Sequence, residues 1–179
     1  MSHHDHDAPD EIVWQGRFVT ARKKGRWEYV SRARGIRAAV ILAVDEDDHV
    51  LLVEQYRVPL GKRCIELPAG LIGDDDGAEG EEPITAAARE LEEETGYRAG
   101  RMELIGEFYS SPGMVSEAFT LVRAHDLVKV GPGGGTESED ITVHRVPLSG
   151  IAKAIEGWRA QGYAIDVRML MLLGPGLLG

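Results

Sequence analysis

The pattern of apolar and polar positions divides the chain into a short polar beginning and a longer, more regular part. Residues 12–34 are mostly polar with aromatic residues at intervals, which predicts a small antiparallel meander, broken near residues 23–25. Two near-continuous apolar runs follow at 36–44 and 50–55, separated by an acidic turn. Runs of this kind predict a hairpin whose strands are buried on both faces.

The next element is a helix with well-marked ends. Pro83 suits a first helical turn, and Gly96 suits the left-handed residue that ends a helix. An apolar stripe at i, i+3, i+4 and i+7 spacing is expected to pack on a sheet. Its members are Ile84, Ala87, Ala88, Leu91 and Thr95.

Strands and helices continue to alternate through the rest of the chain. Further strands are predicted at 102–109, 118–123 and 141–146, and helices at 148–161 and 166–173. This alternation predicts an α/β domain with a mixed sheet. We divide the chain into a disordered tail at 1–11, the N-terminal strands at 12–34, and a folded domain at 35–179.

Length and charge narrow the class of protein. The 179 residues are enough for one domain with a substantial core, and 43% of them are hydrophobic. The formal net charge is −10. Since binding to nucleic acid depends on basic surface, that class of partner is disfavoured.

Cysteine usage and the chain ends point to a cytoplasmic setting. The single Cys64 excludes an intrachain disulfide and a multi-cysteine zinc site, and fits a reducing compartment. The polar, histidine-containing stretch at 1–11 does not resemble a signal peptide. The C-terminal apolar run at 169–173 is too short to span a membrane, so no membrane partner is expected.

The residues that suggest chemistry lie near the end of the predicted helix. Glu90, Glu93 and Glu94 fall within an arc of roughly 100° beside the apolar stripe. They repel one another, lie at the negative end of the helix dipole, and have only Arg89 nearby for compensation. A solvated acidic face is the alternative, but breaking two local rules at once favours a functional site. Oxygen-only ligands of this kind suit Mg²⁺ or Mn²⁺.

The string from Arg89 to Tyr97, RELEEETGY, resembles the core of the Nudix box. In that family the first glycine lies six positions before the upstream glutamate, whereas here Gly70 lies eleven positions before Glu81. The difference implies a five-residue insertion within 73–80. The upstream role is therefore open among three residues: Glu79, Glu81 and Glu82.

Further segments at 53–57 and 66–70, and Pro112 sixteen residues after Gly96, are similar to the ADP-ribose pyrophosphatase branch. The resemblance implies a Nudix-type α/β/α sandwich with a small N-terminal antiparallel sheet, in a homodimer that exchanges N-terminal strands. It also implies Mg²⁺-dependent hydrolysis of ADP-ribose to AMP and ribose 5-phosphate. The alternatives are hydrolysis of another nucleoside diphosphate sugar or a dinucleotide, and a non-catalytic nucleotide-binding module.

The same resemblance assigns roles to individual residues. Metal ligands would be the Ala69 carbonyl, Glu90 and Glu94, with Glu93 as a ligand or orienting group and Arg89 holding the glutamates. Substrate contacts would come from seven residues: Phe18, Trp27, Glu28, Arg32, Arg57, Pro112 and Gly113.

The resemblance also implies that Glu137 or Glu139 supplies the catalytic base or an additional metal ligand. These acids follow the glycine-rich run 131–135, which we expect to act as a flexible hinge. The loop would then be mobile in the empty enzyme and close over bound diphosphate.

Overall fold

The computed structural model describes residues 5–33, 36–73, 81–136 and 139–174. Glu79, Glu137 and most of the expected insertion lie outside these ranges.

Eleven strands and two α-helices make up the described part of the chain, with short 3₁₀ segments between some of them. The strands are β1 (Asp10–Gln15), β2 (Val19–Lys24), β3 (Trp27–Arg32), β4 (Arg37–Ala43), β5 (His49–Arg57), β6 (Lys62–Glu66), β7 (Ala69–Ile72), β8 (Tyr97–Tyr109), β9 (Ala118–Lys129), β10 (Thr142–Pro147) and β11 (Ala164–Ile165). The helices are α1 (Pro83–Thr95) and α2 (Ile151–Ala160).

The N-terminal strands form the expected antiparallel meander, in the order β1-β2-β3. Its second turn is made by Gly25 with a φ of 59°, a conformation that suits glycine. Strand β1 begins at Asp10, inside the stretch expected to be a disordered tail. Asp5 also accepts hydrogen bonds from the Arg26 backbone and guanidinium, which hold residues 5–7 against this turn.

The two long apolar runs form strands, but the expected hairpin between them is wrong. Strand β4 lies inside a sheet of order β7-β4-β9-β8, and β5 lies inside a second sheet of order β10-β5-β6-β11. A single bridge, Val44 to Val50, joins the two runs beside the connecting turn. Each run is buried on both faces, so each can occupy an interior position in its own sheet. Both sheets are mixed, with β4–β9 and β6–β11 parallel.

Helix α1 has the predicted limits, and Gly96 ends it with a φ of 74°. Its buried face is rotated from the predicted stripe, because Ile84 and Ala88 are exposed while Ala86 is buried. The rotation places the carboxylate of Glu94 among the buried residues of the helix. The helix therefore directs part of its acidic arc inward.

The core consists of two hydrophobic clusters that give the α/β/α arrangement. One packs α1 against β4 and β9, through residues such as Leu91, Ile41 and Val122. The other joins the two sheets to α2 and to the 3₁₀ helix Val167–Leu173. The predicted helix at 148–161 is a 3₁₀ turn followed by α2. No helix in the described ranges is long and apolar enough to cross a membrane.

Candidate active site

A cavity of about 570 Å³ opens where β5, β6, β7, α1 and β9 meet. Acidic side chains from helix α1 and from the loop between β9 and β10 line it: Glu90, Glu94 and Glu139. Three arginines also line it: Arg32, Arg57 and Arg168. The cavity thus combines carboxylates suited to a metal ion with cations suited to phosphate.

The two helix glutamates are fixed by close contact with strand β7. The Ala69 backbone N–H donates to Glu94 Oε2 at 3.0 Å, which orients that carboxylate toward the strand. A Cβ at Gly70 would lie only 1.9 Å from Cδ of Glu90. The glycine in the Nudix-like segment is therefore required by the approach of Glu90 to the backbone. Ala69, Glu90 and Glu94 meet at one place, as the resemblance implied.

Burial makes the ionised forms of these glutamates costly. Burial raises the pKa of Glu94 to about 8, with Glu90 and Glu139 adding repulsion. The pKa of Glu90 is also raised, first by burial and then by repulsion from Glu93 and Glu139. Clustered carboxylates with raised pKa values are a common feature of functional sites, and a bound cation would stabilise their ionised forms.

Arg89 forms ion pairs with three of the glutamates near the site. Its guanidinium lies 2.9 Å from Glu90, 3.1 Å from Glu93 and 3.7 Å from Glu81. Among the three residues left open for the upstream role, Glu81 is thereby placed beside the site. The Glu93 side chain is 41% exposed and does not line the cavity. The structure therefore brings Glu93 to Arg89 rather than to Glu94 and Ala69.

The arginine side of the cavity depends on residues that sequence reasoning did not assign. Buried Glu66 accepts two hydrogen bonds from Arg57, at 2.6 and 2.7 Å. Its Oε2 also lies 3.5 Å from Arg168, which is bound bidentately by Asp166. Glu66 lies in the segment 66–70 that carries the family resemblance, so the sequence contained a signal that could have identified it as a site residue. Arg168 follows β11 and had none.

A second cavity of about 430 Å³ lies beside the N-terminal sheet. It brings Trp27 together with Pro112 and Gly113, three of the residues expected to contact substrate. The other expected contacts are dispersed. Arg32 lines the first cavity and is paired with Glu117 at 2.5 Å, whereas Phe18 and Glu28 line neither of these two cavities.

The glycine-rich run is a docked turn rather than the expected free hinge. The N–H of Gly134 donates to the carbonyl of Glu94 at 2.8 Å, and that of Gly135 to the carbonyl of Glu93 at 3.0 Å. These carbonyls are among those that the end of a helix leaves unpaired. Gly133 has a φ of 70° and packs so closely on α1 that a Cβ there would meet the Thr95 backbone at 2.4 Å. The glycines thus serve close packing against the helix end.

Glu139 is held by the same turn. Its Oε2 accepts hydrogen bonds from the N–H and hydroxyl of Thr136, at 2.9 and 3.1 Å. It lines the cavity near Glu90 and Glu94, whose pKa values it helps to raise. Of the two candidate bases, Glu139 is therefore placed at the site, and Glu137 falls in a part of the chain that the structure does not describe.

The donor set fits a hard divalent cation. Glu90, Glu94 and Glu139 line the same cavity as Ala69, and positive charge reaches Glu90 from Arg89 and Glu94 from Arg57. A tighter acidic group within the described ranges is formed by Asp45, Asp47 and His49 in the β4–β5 turn. Arg145 pairs with Asp45 and Asp47 at 2.6 Å each, so an arginine already neutralises this group.

Cys64 lines the cavity without nucleophilic character. Its side chain is buried, and burial raises the pKa of the thiol to about 12, with a further contribution from Glu66. The thiol therefore stays protonated at neutral pH, and the buried Cys64 side chain serves packing.

Comparisons with known proteins agree with this geometry. An ADP-ribose pyrophosphatase of Bacillus subtilis (strain 168) is 38% identical over 120 residues, which cover 66% of this chain and 62% of that protein. A GDP-mannose pyrophosphatase of Cronobacter sakazakii is 39% identical over 149 residues, covering 78% of this chain and 72% of that protein. The crystal structure of an ADP compounds hydrolase superimposes with a TM-score of 0.69 at 25% identity, over 92% of this chain and 89% of that one.

Several curated relatives are matched over only about half to two thirds of their length. The family model of the NUDIX domain matches residues 34–164, which include every strand from β4 to β10 and both α-helices. This chain belongs to the Nudix family.

Proposed function

We propose that this chain hydrolyses the pyrophosphate bond of ADP-ribose, giving AMP and ribose 5-phosphate, with Mg²⁺ as the cofactor. The observation that carries the proposal is the single cavity in which Glu90, Glu94 and Glu139 lie together with Arg57 and other arginines. A nucleoside diphosphate sugar needs carboxylates that hold the metal ion and arginines that bind its two phosphates. The relatives named for ADP-ribose and for ADP compounds support this substrate class.

The metal would be held by Glu90, Glu94 and the carbonyl of Ala69. When bound, Mg²⁺ neutralises charge on the pyrophosphate oxygens as the phosphorus–oxygen bond breaks. The Ala69 N–H keeps Glu94 oriented, and Arg89 keeps Glu90 oriented at 2.9 Å. Arg57 donates to phosphate oxygens, since its guanidinium is fixed in place by Glu66.

Glu139 would act as the general base. Its carboxylate takes a proton from the water that attacks phosphorus, and the bond to the leaving phosphate oxygen breaks as the new bond forms. Thr136 holds one oxygen of this carboxylate, which limits its rotation. Mn²⁺ can substitute for Mg²⁺ in a site of oxygen ligands.

The function is tested by assaying ADP-ribose with and without Mg²⁺. We expect AMP and ribose 5-phosphate to form in equal amounts, and activity to disappear when EDTA exceeds the metal, because the clustered carboxylates leave the diphosphate charge uncompensated. Binding of ADP-ribose without turnover at any metal concentration would contradict the proposal and favour a binding module.

A second candidate substrate is a different nucleoside diphosphate sugar. The relative named GDP-mannose pyrophosphatase favours this class, and the chemistry at the metal would be the same. GDP-mannose and a dinucleoside polyphosphate assayed beside ADP-ribose discriminate between them, because the highest kcat/KM identifies the substrate class that the cavity fits.

We also propose a homodimer built through the N-terminal sheet. Strand β1 exposes Ile12, Val13 and Trp14, a density of apolar side chains that usually marks an interface. The sheet also carries Trp27 into the second cavity beside Pro112. An adenine held at that cavity would place the N-terminal strands in contact with substrate. Light scattering at micromolar concentration would then give the mass of two chains.

Trp27→Ala is expected to raise KM for ADP-ribose by about tenfold while kcat changes little. The indole would contact the base, and a stacked base contributes about 1–3 kcal/mol. Tyr56→Ala is the matched control, because Tyr56 of β5 is as exposed as Trp27, lies outside the N-terminal sheet and lines neither cavity. Equal KM values for the two variants would remove Trp27 from the substrate site.

A further inference from the structure

Asp140, the neighbour of the candidate base Glu139, is paired with an arginine from a different sheet element. Arg63 of β6 directs its Nη2 at Asp140 Oδ2 in a close charge-assisted hydrogen bond. Neither Arg63 nor Asp140 lines the cavity. This contact therefore connects strand β6 to the residue next to Glu139, and it lies outside the cavity.

The other end of the Arg63 guanidinium is anchored in the protein. Its Nη1 is buried and makes no hydrogen bond within the described part of the chain, but it forms an ion pair with Oε1 of Glu54 at 3.3 Å. Glu54 is only 8% exposed, and its second oxygen lies 2.9 Å from Nε2 of His144. The ring of His144 in turn packs edge-on against Trp158, with centroids 5.4 Å apart. The half-buried Arg63 side chain is thus paired on one side with the buried carboxylate of Glu54 and on the other side with Asp140.

The Asp140 side chain has no comparable support, being 78% exposed. Exposed ion pairs contribute little to the free energy of folding, so folding does not require this one. The pair does tie Asp140, the residue next to Glu139, to strand β6. On the opposite side, Gly134 and Gly135 are bound to the end of α1. Glu139 therefore stands between two attachments to the framework.

We propose that Arg63 is a positioning residue for the hydrolysis, acting through Asp140 to hold the Glu139 carboxylate at the cavity. This inference rests on the proposed function, because it gives Glu139 the role of base. Arg63 itself touches neither substrate nor metal.

Asp140→Ala tests the proposal, with Asp47→Ala as a matched control. Asp47 is 77% exposed and accepts from Arg145 of β10, so it forms the same kind of surface pair in the β4–β5 turn. We expect Asp140→Ala to lower kcat for ADP-ribose about two- to fivefold, the range of an exposed ion pair, with KM and the unfolding temperature unchanged. Asp47→Ala should keep the wild-type kcat.

A double-mutant cycle shows whether the effect passes through Glu139. In a Glu139→Gln background, Asp140→Ala should cause no further loss of kcat. Arg63→Lys, whose single amino group cannot bridge Glu54 and Asp140, should behave like Asp140→Ala and should add nothing to it.

The outcomes separate this inference from the function on which it rests. A wild-type kcat in Asp140→Ala, or the same fold-loss with and without Glu139, would overturn the positioning role while leaving the function intact. A wild-type kcat in Glu139→Gln would overturn the role of the base, and this inference with it. Loss in Asp140→Ala that vanishes in the Glu139→Gln background supports it.

Discussion

Replacing Glu94 by glutamine is expected to lower kcat for ADP-ribose by about 10²- to 10³-fold, since several kcal/mol of charge stabilisation depend on a bound metal. The amide keeps the size of the side chain and can still accept from the Ala69 N–H, but it cannot supply the negative charge. Steady-state kinetics over a range of Mg²⁺ concentrations measures the effect. Glu92→Gln on the same helix is the control, because the half-buried Glu92 is paired with Arg98 and does not line the cavity. Full activity in Glu94→Gln would exclude it as a metal ligand.

Glu94→Gln lowers activity, but in the metal-free protein it is expected to reduce the loss of folding stability as the pH rises. Burial raises the pKa of Glu94 to about 8 from an ordinary value of 4.5. The stability associated with the protonated carboxyl is full below the unfolded pKa and is lost as the pH rises through about 8. Glutamine does not ionise, so Glu94→Gln should lose less stability than the wild type between the ordinary pKa of 4.5 and the raised pKa of about 8. Denaturant unfolding in EDTA at several pH values measures how the free energy of unfolding of each protein changes with pH. Equal slopes for the wild type and Glu94→Gln would contradict the raised pKa of Glu94.

Removal of the base is the second large effect. Glu139→Gln is expected to lower kcat by about 10²- to 10⁴-fold with little change in KM, the usual cost of losing a positioned general base. The amide can keep the hydrogen bonds from Thr136 but cannot take a proton at neutral pH.

Glu137→Gln, made separately, is expected to retain most of the activity, because the structure places Glu139 at the cavity beside Glu90 and Glu94. If Glu137→Gln, Glu139→Gln and the double variant all stay within about threefold of the wild type, far short of the loss of a base, this loop supplies no base.

The sequence by itself determined the features that depend on neighbouring residues. The limits of α1 follow from Pro83 and Gly96, because helix ends are set by local backbone preferences. The 3.6-residue period placed the acidic arc beside the apolar stripe, whereas the burial of Glu94 came from the rotated buried face of α1. The N-terminal meander was predicted from a mostly polar stretch with aromatic residues at intervals and a break near residues 23–25.

Only the tertiary structure decided how distant segments meet. The apolar runs of β4 and β5 are equally compatible with a hairpin and with two separate sheets. Strands buried on both faces show no polar–apolar alternation, so their sequence does not indicate which strand they pair with. The glycine run looks flexible in isolation, and it is the end of α1 that gives Gly134 and Gly135 their hydrogen-bond acceptors.

The charged partners of the site were likewise set by the fold. Glu66 and Arg168 are far apart in sequence and meet because β11 pairs with β6 in parallel, at Ile165 and Ile65. Arg63 reaches Asp140 across 77 residues for a similar reason, as β6 and β10 flank the same strand β5. A local pattern can show that a residue is charged, but the partner that orients that charge is chosen by packing between elements.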